Sequence, residues 1–132
     1  MSHYLPALVS LLALLLFEAT VVAVVFARKK FNIVAPATTG NSDFERVFRV
    51  QMNTLENLVM FLPALWLFAF YVSDLYAGIL GFVWLVGRSY YAFSYSRSAA
   101  ARSPGFGIGF LAFAVLWVGA LMGIGVRIVA GN

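Results

Sequence analysis

The chain has 132 residues, 63% of them hydrophobic and 11% charged, with a net charge of +4. That much apolar surface exceeds what a soluble domain of this length can bury, so the sequence predicts a membrane protein forming a single domain over 1–132. It contains no cysteine and one histidine, His3, which excludes disulfides, thiolate metal sites and a cysteine nucleophile and argues against a histidine-based metal or triad site, so no metal is expected.

Leu5 to Ala27 is apolar except for Ser10, Glu18 and Thr20, long enough to cross a hydrocarbon core of ~30 Å. Arg28, Lys29 and Lys30 close this first span, about 5–30, at the interface. No basic stretch precedes it and its apolar run is too long for a signal peptide, so it reads as a retained span. Asn32 to Asn41, with Pro36 and Gly40, reads as a loop. Ser42-Asp43-Phe44-Glu45 has the capping-box pattern, Ser42 at N-cap and Glu45 at N3. It opens a second helix over 43–72, polar through Arg46, Arg49, Gln51, Asn53 and Glu56, apolar from Leu58 to Val72, with Pro63 as an internal kink. A short turn at Ser73-Asp74 leads to a third helix over 75–101. Ser103-Pro104-Gly105 reads as a break, and the fourth span covers 105–130. The fold class is therefore an all-α membrane protein, a four-transmembrane-helix bundle.

Eight of the nine basic residues belong to the two connections on one side, and only Arg127 lies toward the other. The positive-inside rule places the basic end in the cytoplasm, with both termini and the Asp74 turn outside. Basic residues at membrane ends suit anionic lipid headgroups or an anionic ligand, not nucleic acid. The short chain, with no tail for retention in the endoplasmic reticulum, points to a bacterial inner membrane rather than that organelle.

Ionisable groups at depth mark function. At a rise of ~1.5 Å per residue, Glu56 lies roughly 24 Å along helix two from the Asp74 turn. Tyr91 lies roughly 22 Å and Arg88 about 18 Å along helix three. At 100° per residue, Arg49, Asn53 and Glu56 share one arc of helix two, and Arg88, Tyr91, Tyr95 and Arg102 share one arc of helix three. The spacing predicts a polar pocket between them. Arginines suit carboxylates or phosphates, Glu56 suits an amine, and tyrosines offer hydroxyls beside apolar rings. The match is a small zwitterion with extra carboxylates, joined by an apolar second substrate from the lipid. Gln51 points nearly opposite Asn53, so it either bonds locally or lines the pocket of a neighbouring subunit. Arg88 is either a ligand-binding group or the structural partner of Glu18 or Glu56. Arg46, Arg97 and Lys30 read as interface anchors, while Arg28 and Lys29 fit either role. Tyr90, Phe93, Trp66, Trp84 and Trp117 read as packing or interfacial belt, and the glycines of the last span as close-packing positions.

These residues resemble the MAPEG family, membrane-associated proteins in eicosanoid and glutathione metabolism. The run from Phe44 to Glu56 is similar to the family's E-R-x-x-R-x-Q-x-N-x-x-E signature. Arg88-x-x-Tyr91-x-x-x-Tyr95-x-Arg97-Ser98 is similar to its R-x-x-Y-x-x-x-Y-x-R-S run. Ala27-Arg28-Lys29 and Pro36-Ala37-Thr38-Thr39-Gly40 resemble the first loop of its leukotriene-forming synthase branch. The similarity runs from about Ala27 to Arg102; the first and last spans match in character. It implies a homotrimer with three glutathione sites between subunits. Arg49, Asn53, Glu56, Tyr91, Tyr95 and Arg102 would come from one subunit, Arg28 and Gln51 from its neighbour. It also implies a glutathione transferase, or a peroxidase, acting on lipophilic electrophiles or hydroperoxides, with Arg102 stabilising the glutathione thiolate. Lys29 stands where the synthase branch has a second arginine. Asn57 departs from the pattern, replacing an aromatic residue. The family also contains a non-catalytic member that presents lipid to another enzyme and lacks the arginine matching Arg102. That role, a lipid-binding scaffold, is the alternative reading.

Overall fold

A computed structural model describes residues 2–98 and 103–131. Among them are four helices: α1 (Tyr4–Phe31), α2 (Ser42–Tyr71), α3 (Asp74–Arg97) and α4 (Ser103–Ala130). α1, α2 and α4 are long and apolar enough to cross a membrane. α3 has 24 residues, roughly 36 Å of helix, but Arg88, Tyr91, Tyr95, Arg97 and three serines in its second half keep it out of that apolar class. The bundle's outer surface is hydrocarbon: Leu11, Phe26, Leu111 and Met122 are each about two thirds exposed. Only a lipid environment suits such a surface.

Local chemistry sets the helix ends. α2 is capped by Asn41, whose side-chain oxygen accepts from the backbone N–H groups of Asp43 (2.9 Å) and Phe44 (3.0 Å). The expected cap, Ser42, is thus the first helical residue. Asparagine and serine cap about equally well, and Gly40, at φ 128°, makes the turn that brings Asn41 into place. The Glu45 carboxylate accepts from the Gly40 N–H (3.4 Å), the residue before the cap, so it braces the turn and the reciprocal capping box does not form. Pro63 lies within α2, which continues to Tyr71. Ser73 caps α3 by accepting from the Tyr76 N–H (3.2 Å). α3 stops at Arg97, because Ser98 turns extended (φ −156°); the expected continuation through 99–101 lies outside the described residues. Pro104 and Gly105 do not break a helix but fall in the first turn of α4. A proline costs nothing there, where no carbonyl waits for its missing N–H.

α2 and α3 form the centre of the bundle, with α1 and α4 both packed on that pair. Val9, Ala13, Phe61, Leu65, Trp84 and Leu116 are buried in one core. Trp84 stacks on Phe61 at 3.9 Å between ring centres, 4° from parallel. Glycines bring the helices close: a Cβ on Gly81 would lie 2.6 Å from Val9, and one on Gly119 2.4 Å from Phe68. At the far end His3 Nδ1 meets Asp74 Oδ1 at 2.7 Å. The histidine has no acidic neighbour in sequence, yet the fold supplies one from 71 residues away. Among the described residues, no group of histidine, aspartate and glutamate could hold a metal ion.

Candidate functional site

The polar stripes of α2 and α3 face one another. Arg49, Met52, Asn53, Glu56, Tyr91 and Tyr95 line one cavity of about 220 Å³. Five of the residues singled out from sequence therefore share a wall. The tyrosine rings stack at 5.5 Å between centres, 12° from parallel. Their side chains are 3% and 7% exposed and pack on Val50, so only an edge of each meets the cavity. Arg49 and Glu56 are exposed and form no ion pair with another described residue. Cationic and anionic groups thus stand open on one wall. Asn57 donates to the Asn53 carbonyl (2.8 Å) and to Asn53 Oδ1 (3.2 Å). The departure from the family pattern at position 57 therefore steadies Asn53 and leaves its amide N–H groups to serve the cavity.

Behind the tyrosines lies Arg88, only 1% exposed. Its Nη2 donates to Thr54 Oγ1 at 3.1 Å, and its guanidinium carbon sits 4.2 Å from the centre of the Tyr91 ring. Nε and Nη1 have no hydrogen-bond partner among the described residues. Neither expected glutamate pairs with it. Depth along the helices matched, but azimuth did not: Glu56 lies two residues, about 200°, from Thr54, and Glu18 the same angle from buried Thr20. Both glutamates are exposed. Arg88 is not among the residues lining the cavity; it braces Tyr91 from behind.

α4 completes the support. A Cβ on Gly105 would lie 2.4 Å from the Tyr91 backbone nitrogen and 2.8 Å from the Gly87 carbonyl oxygen. One on Gly87 would lie 2.7 Å from the Gly109 nitrogen. α4 thus begins backbone against backbone on the turn that carries Tyr91. A second cavity of about 390 Å³, lined by Asn53, Tyr91, Ser103 and Phe106, continues the site toward α4.

The other singled-out residues lie elsewhere. Gln51 is half-buried, outside the cavity wall. Arg28 donates to the Ala37 carbonyl at 2.7 Å and lies 5.1 Å over the Phe44 ring, so within its own protomer it ties down the α1–α2 loop. Lys29 is exposed. Arg102 lies outside the described residues. Sequence reasoning missed Met52, Thr54 and Phe106. Thr54 had a signal: it is the one polar member of the buried series Val50, Thr54, Leu58, Phe61, Leu65 and Phe68, and a lone hydroxyl in such a stripe needs a partner.

A profile of the MAPEG family matches residues 5–122, from the first turn of α1 well into α4. The chain belongs to the MAPEG family. Family likeness therefore extends beyond 27–102 into the first and last helices. This MAPEG chain is 53% identical to an uncharacterized protein of Synechocystis sp. over 90% of its own length and 87% of the other. It is 41% identical to human microsomal glutathione S-transferase 2 over 72% of its own length and 65% of the enzyme's. To leukotriene C4 synthase of Cavia porcellus it is 39% identical, over 74% and 65%. The matches span about two thirds of those two enzymes' lengths. Membership, together with three membrane-spanning helices, makes the MAPEG chain an integral membrane protein.

Proposed function

We propose that the protein is a membrane glutathione transferase that conjugates or reduces lipophilic electrophiles or hydroperoxides. One observation carries this reading: Arg49, Asn53, Glu56, Tyr91 and Tyr95 line a single cavity. Glutathione carries two carboxylates, an ammonium group and a thiol. Arg49 suits a carboxylate, which guanidinium binds with charge-assisted, often paired hydrogen bonds. Glu56 suits the ammonium group, and the tyrosine and asparagine edges suit the peptide groups. The relatives named for glutathione transfer and for leukotriene C4 synthesis support the same substrate.

A free thiol has a pKa near ~8.5, so it is mostly protonated at neutral pH. Arg102 beside the sulfur favours the thiolate. That thiolate attacks an electrophilic carbon, forming a thioether while the electron pair of the bond broken at that carbon, a C–O bond or the π bond of an activated alkene, leaves and takes up a proton. With a hydroperoxide it attacks the terminal oxygen and breaks the O–O bond, giving a sulfenic acid and an alkoxide that takes up a proton to become the alcohol; a second glutathione then reduces the sulfenic acid, forming glutathione disulfide and water. Arg49 and Glu56 fix the tripeptide so that the sulfur stays at one place.

The functional unit is a homotrimer. The cavity's own wall includes neither Gln51 nor Arg28, as suits a site completed by a neighbour. Gln51 and Arg28 face away from their own cavity and supply that neighbour's missing wall, with Lys29 supporting the thiolate or the second substrate. α3 is the fourth span, the membrane is a bacterial inner membrane, and the site opens at its cytoplasmic face.

The test is Arg102→Leu in purified protein, reading glutathione affinity and turnover separately while following thiolate absorbance in the ultraviolet. The proposal expects glutathione to bind while thiolate absorbance and turnover fall together. Undiminished turnover removes Arg102 from the mechanism. A parent protein that binds glutathione but forms no thiolate is the non-catalytic scaffold.

A further inference from the structure

α3 has a second face that the glutathione site does not use. Ser89, Ala92, Phe93 and Ser96 line a groove of about 410 Å³ together with Leu16, Ala19, Thr20 and Ala23 of α1, floored by Val47 and Val50 of α2. It adjoins a second hollow of about 460 Å³ that shares Ala23, Val47 and Ser96 and extends to Phe26, Lys30, Phe31 and Asp43. The two form one slot between α1 and α3, open on the side away from α2. From Leu16 to Lys30 it runs roughly 21 Å, more than the ~15 Å depth of one leaflet's hydrocarbon.

Its chemistry changes along its length. In the deep part Thr20 donates to the Phe17 carbonyl (2.6 Å), and nearer the mouth Ser96 donates to the Phe93 carbonyl (2.9 Å). These two hydroxyls turn back onto their own helices, so apart from Ser89 the slot presents mainly carbon to its occupant. At the mouth stands Lys30; Arg97 lines neither hollow, but its guanidinium lies 4.5 Å over the ring of Phe93, which lines the groove. Both are exposed. Asp43, the acid at the mouth, is paired with Arg46, so the free charge there is positive.

We infer that this slot is a binding site for an anionic phospholipid, with one acyl chain along α1 and α3 and its phosphate at Lys30 and Arg97. The lipid is not the transferred substrate. Tyr91 and Tyr95 are on the other side of α3, so the slot and the glutathione cavity are separated by the helix itself. The lipid instead fills the gap between α1 and the α2–α3 pair and steadies the back of the site. Two cations near the headgroup give selectivity by charge, and the carbon-lined slot gives retention by apolar contact.

The test uses the full chain purified in detergent, with phosphatidylglycerol and phosphatidylcholine of identical acyl chains offered in equal amounts and retained lipid counted by native mass spectrometry. The parent protein should retain phosphatidylglycerol with roughly thirtyfold preference, about the effect of two cations near an anionic headgroup. Lys30→Ala with Arg97→Ala should bring that preference close to one. Ala92→Trp, which fills the slot, should lower retention of both lipids, and circular dichroism confirms that each variant is folded. Glutathione affinity read on the same samples separates this site from the other: it should stay measurable in all of them. Equal retention of the two lipids by the parent overturns the inference, as does a preference that survives the double substitution. Retention unchanged in folded Ala92→Trp places the lipid elsewhere. Subunits that dissociate in Ala92→Trp while lipid stays bound make the slot a contact between copies of the chain.

Discussion

Arg88 shows how one residue links burial to the site. A guanidinium with, among the described residues, a single hydrogen bond and two unpartnered nitrogens tolerates no further loss. Thr54→Val keeps the shape of the side chain and removes that bond. It should destabilise the protein by about 1–3 kcal/mol, read as a lowered midpoint of thermal unfolding in detergent, and glutathione affinity should fall with it because Tyr91 loses its brace. An unchanged midpoint would mean that Thr54 does not hold Arg88. This partnership was only half legible in the sequence. The depth of Arg88 could be counted from helix rise, and the count selected two glutamates at the right level. Coulomb attraction made them natural candidates, but a side chain must also share a face, and Thr54 does. Arg49, Asn53, Glu56, Tyr91 and Tyr95 were legible as a group because each set repeats at three, four or seven residues on its own helix.

Among the elements, α4 has the most specific task. Its first turn presses on Tyr91 through Gly105, while Gly107, two residues on, has nothing within 4 Å of where a Cβ would stand. The two glycines should therefore respond oppositely to alanine. Gly105→Ala forces α4 off the Tyr91 turn and should cost about 1–3 kcal/mol. Gly107→Ala should stabilise by about 0.5–1 kcal/mol, since alanine gives up less backbone freedom in a helix. Unfolding midpoints of the two variants measure the contrast, and equal shifts would argue against a close seam. In sequence, Ser103-Pro104-Gly105 reads as a breaker because proline and glycine are rare inside helices. They are common at helix starts, and only contact with α3 says which of the two applies. The cap of α2 shifted by one residue for a similar reason, since Asn41 and Ser42 are both competent.

At the scale of the whole molecule, composition fixed the class early: a chain this apolar has to be covered by lipid. What sequence periodicity does not reveal is which faces meet another copy. Gln51 lies about 200° around α2 from Asn53, and Arg28 holds its own loop, yet both belong to the site if neighbours share it. Co-assembled subunits test this. Gln51→Leu chains and Glu56→Gln chains should each bind glutathione poorly alone, while mixed assemblies should regain sites in which an intact Gln51 faces an intact Glu56. No recovery on mixing would confine the site to one subunit.

The central claim is that the wall formed by Arg49, Asn53, Glu56, Tyr91 and Tyr95 binds glutathione. Its most direct measurement is a calorimetric titration of glutathione into the detergent-purified chain and into Glu56→Gln, an exposed and isosteric change that leaves the fold intact. The parent should bind, and the variant should bind at least about tenfold more weakly, the effect of weakening one charge-assisted hydrogen bond. A parent that takes up no heat from glutathione, or a variant that binds it as tightly as the parent, would contradict the account.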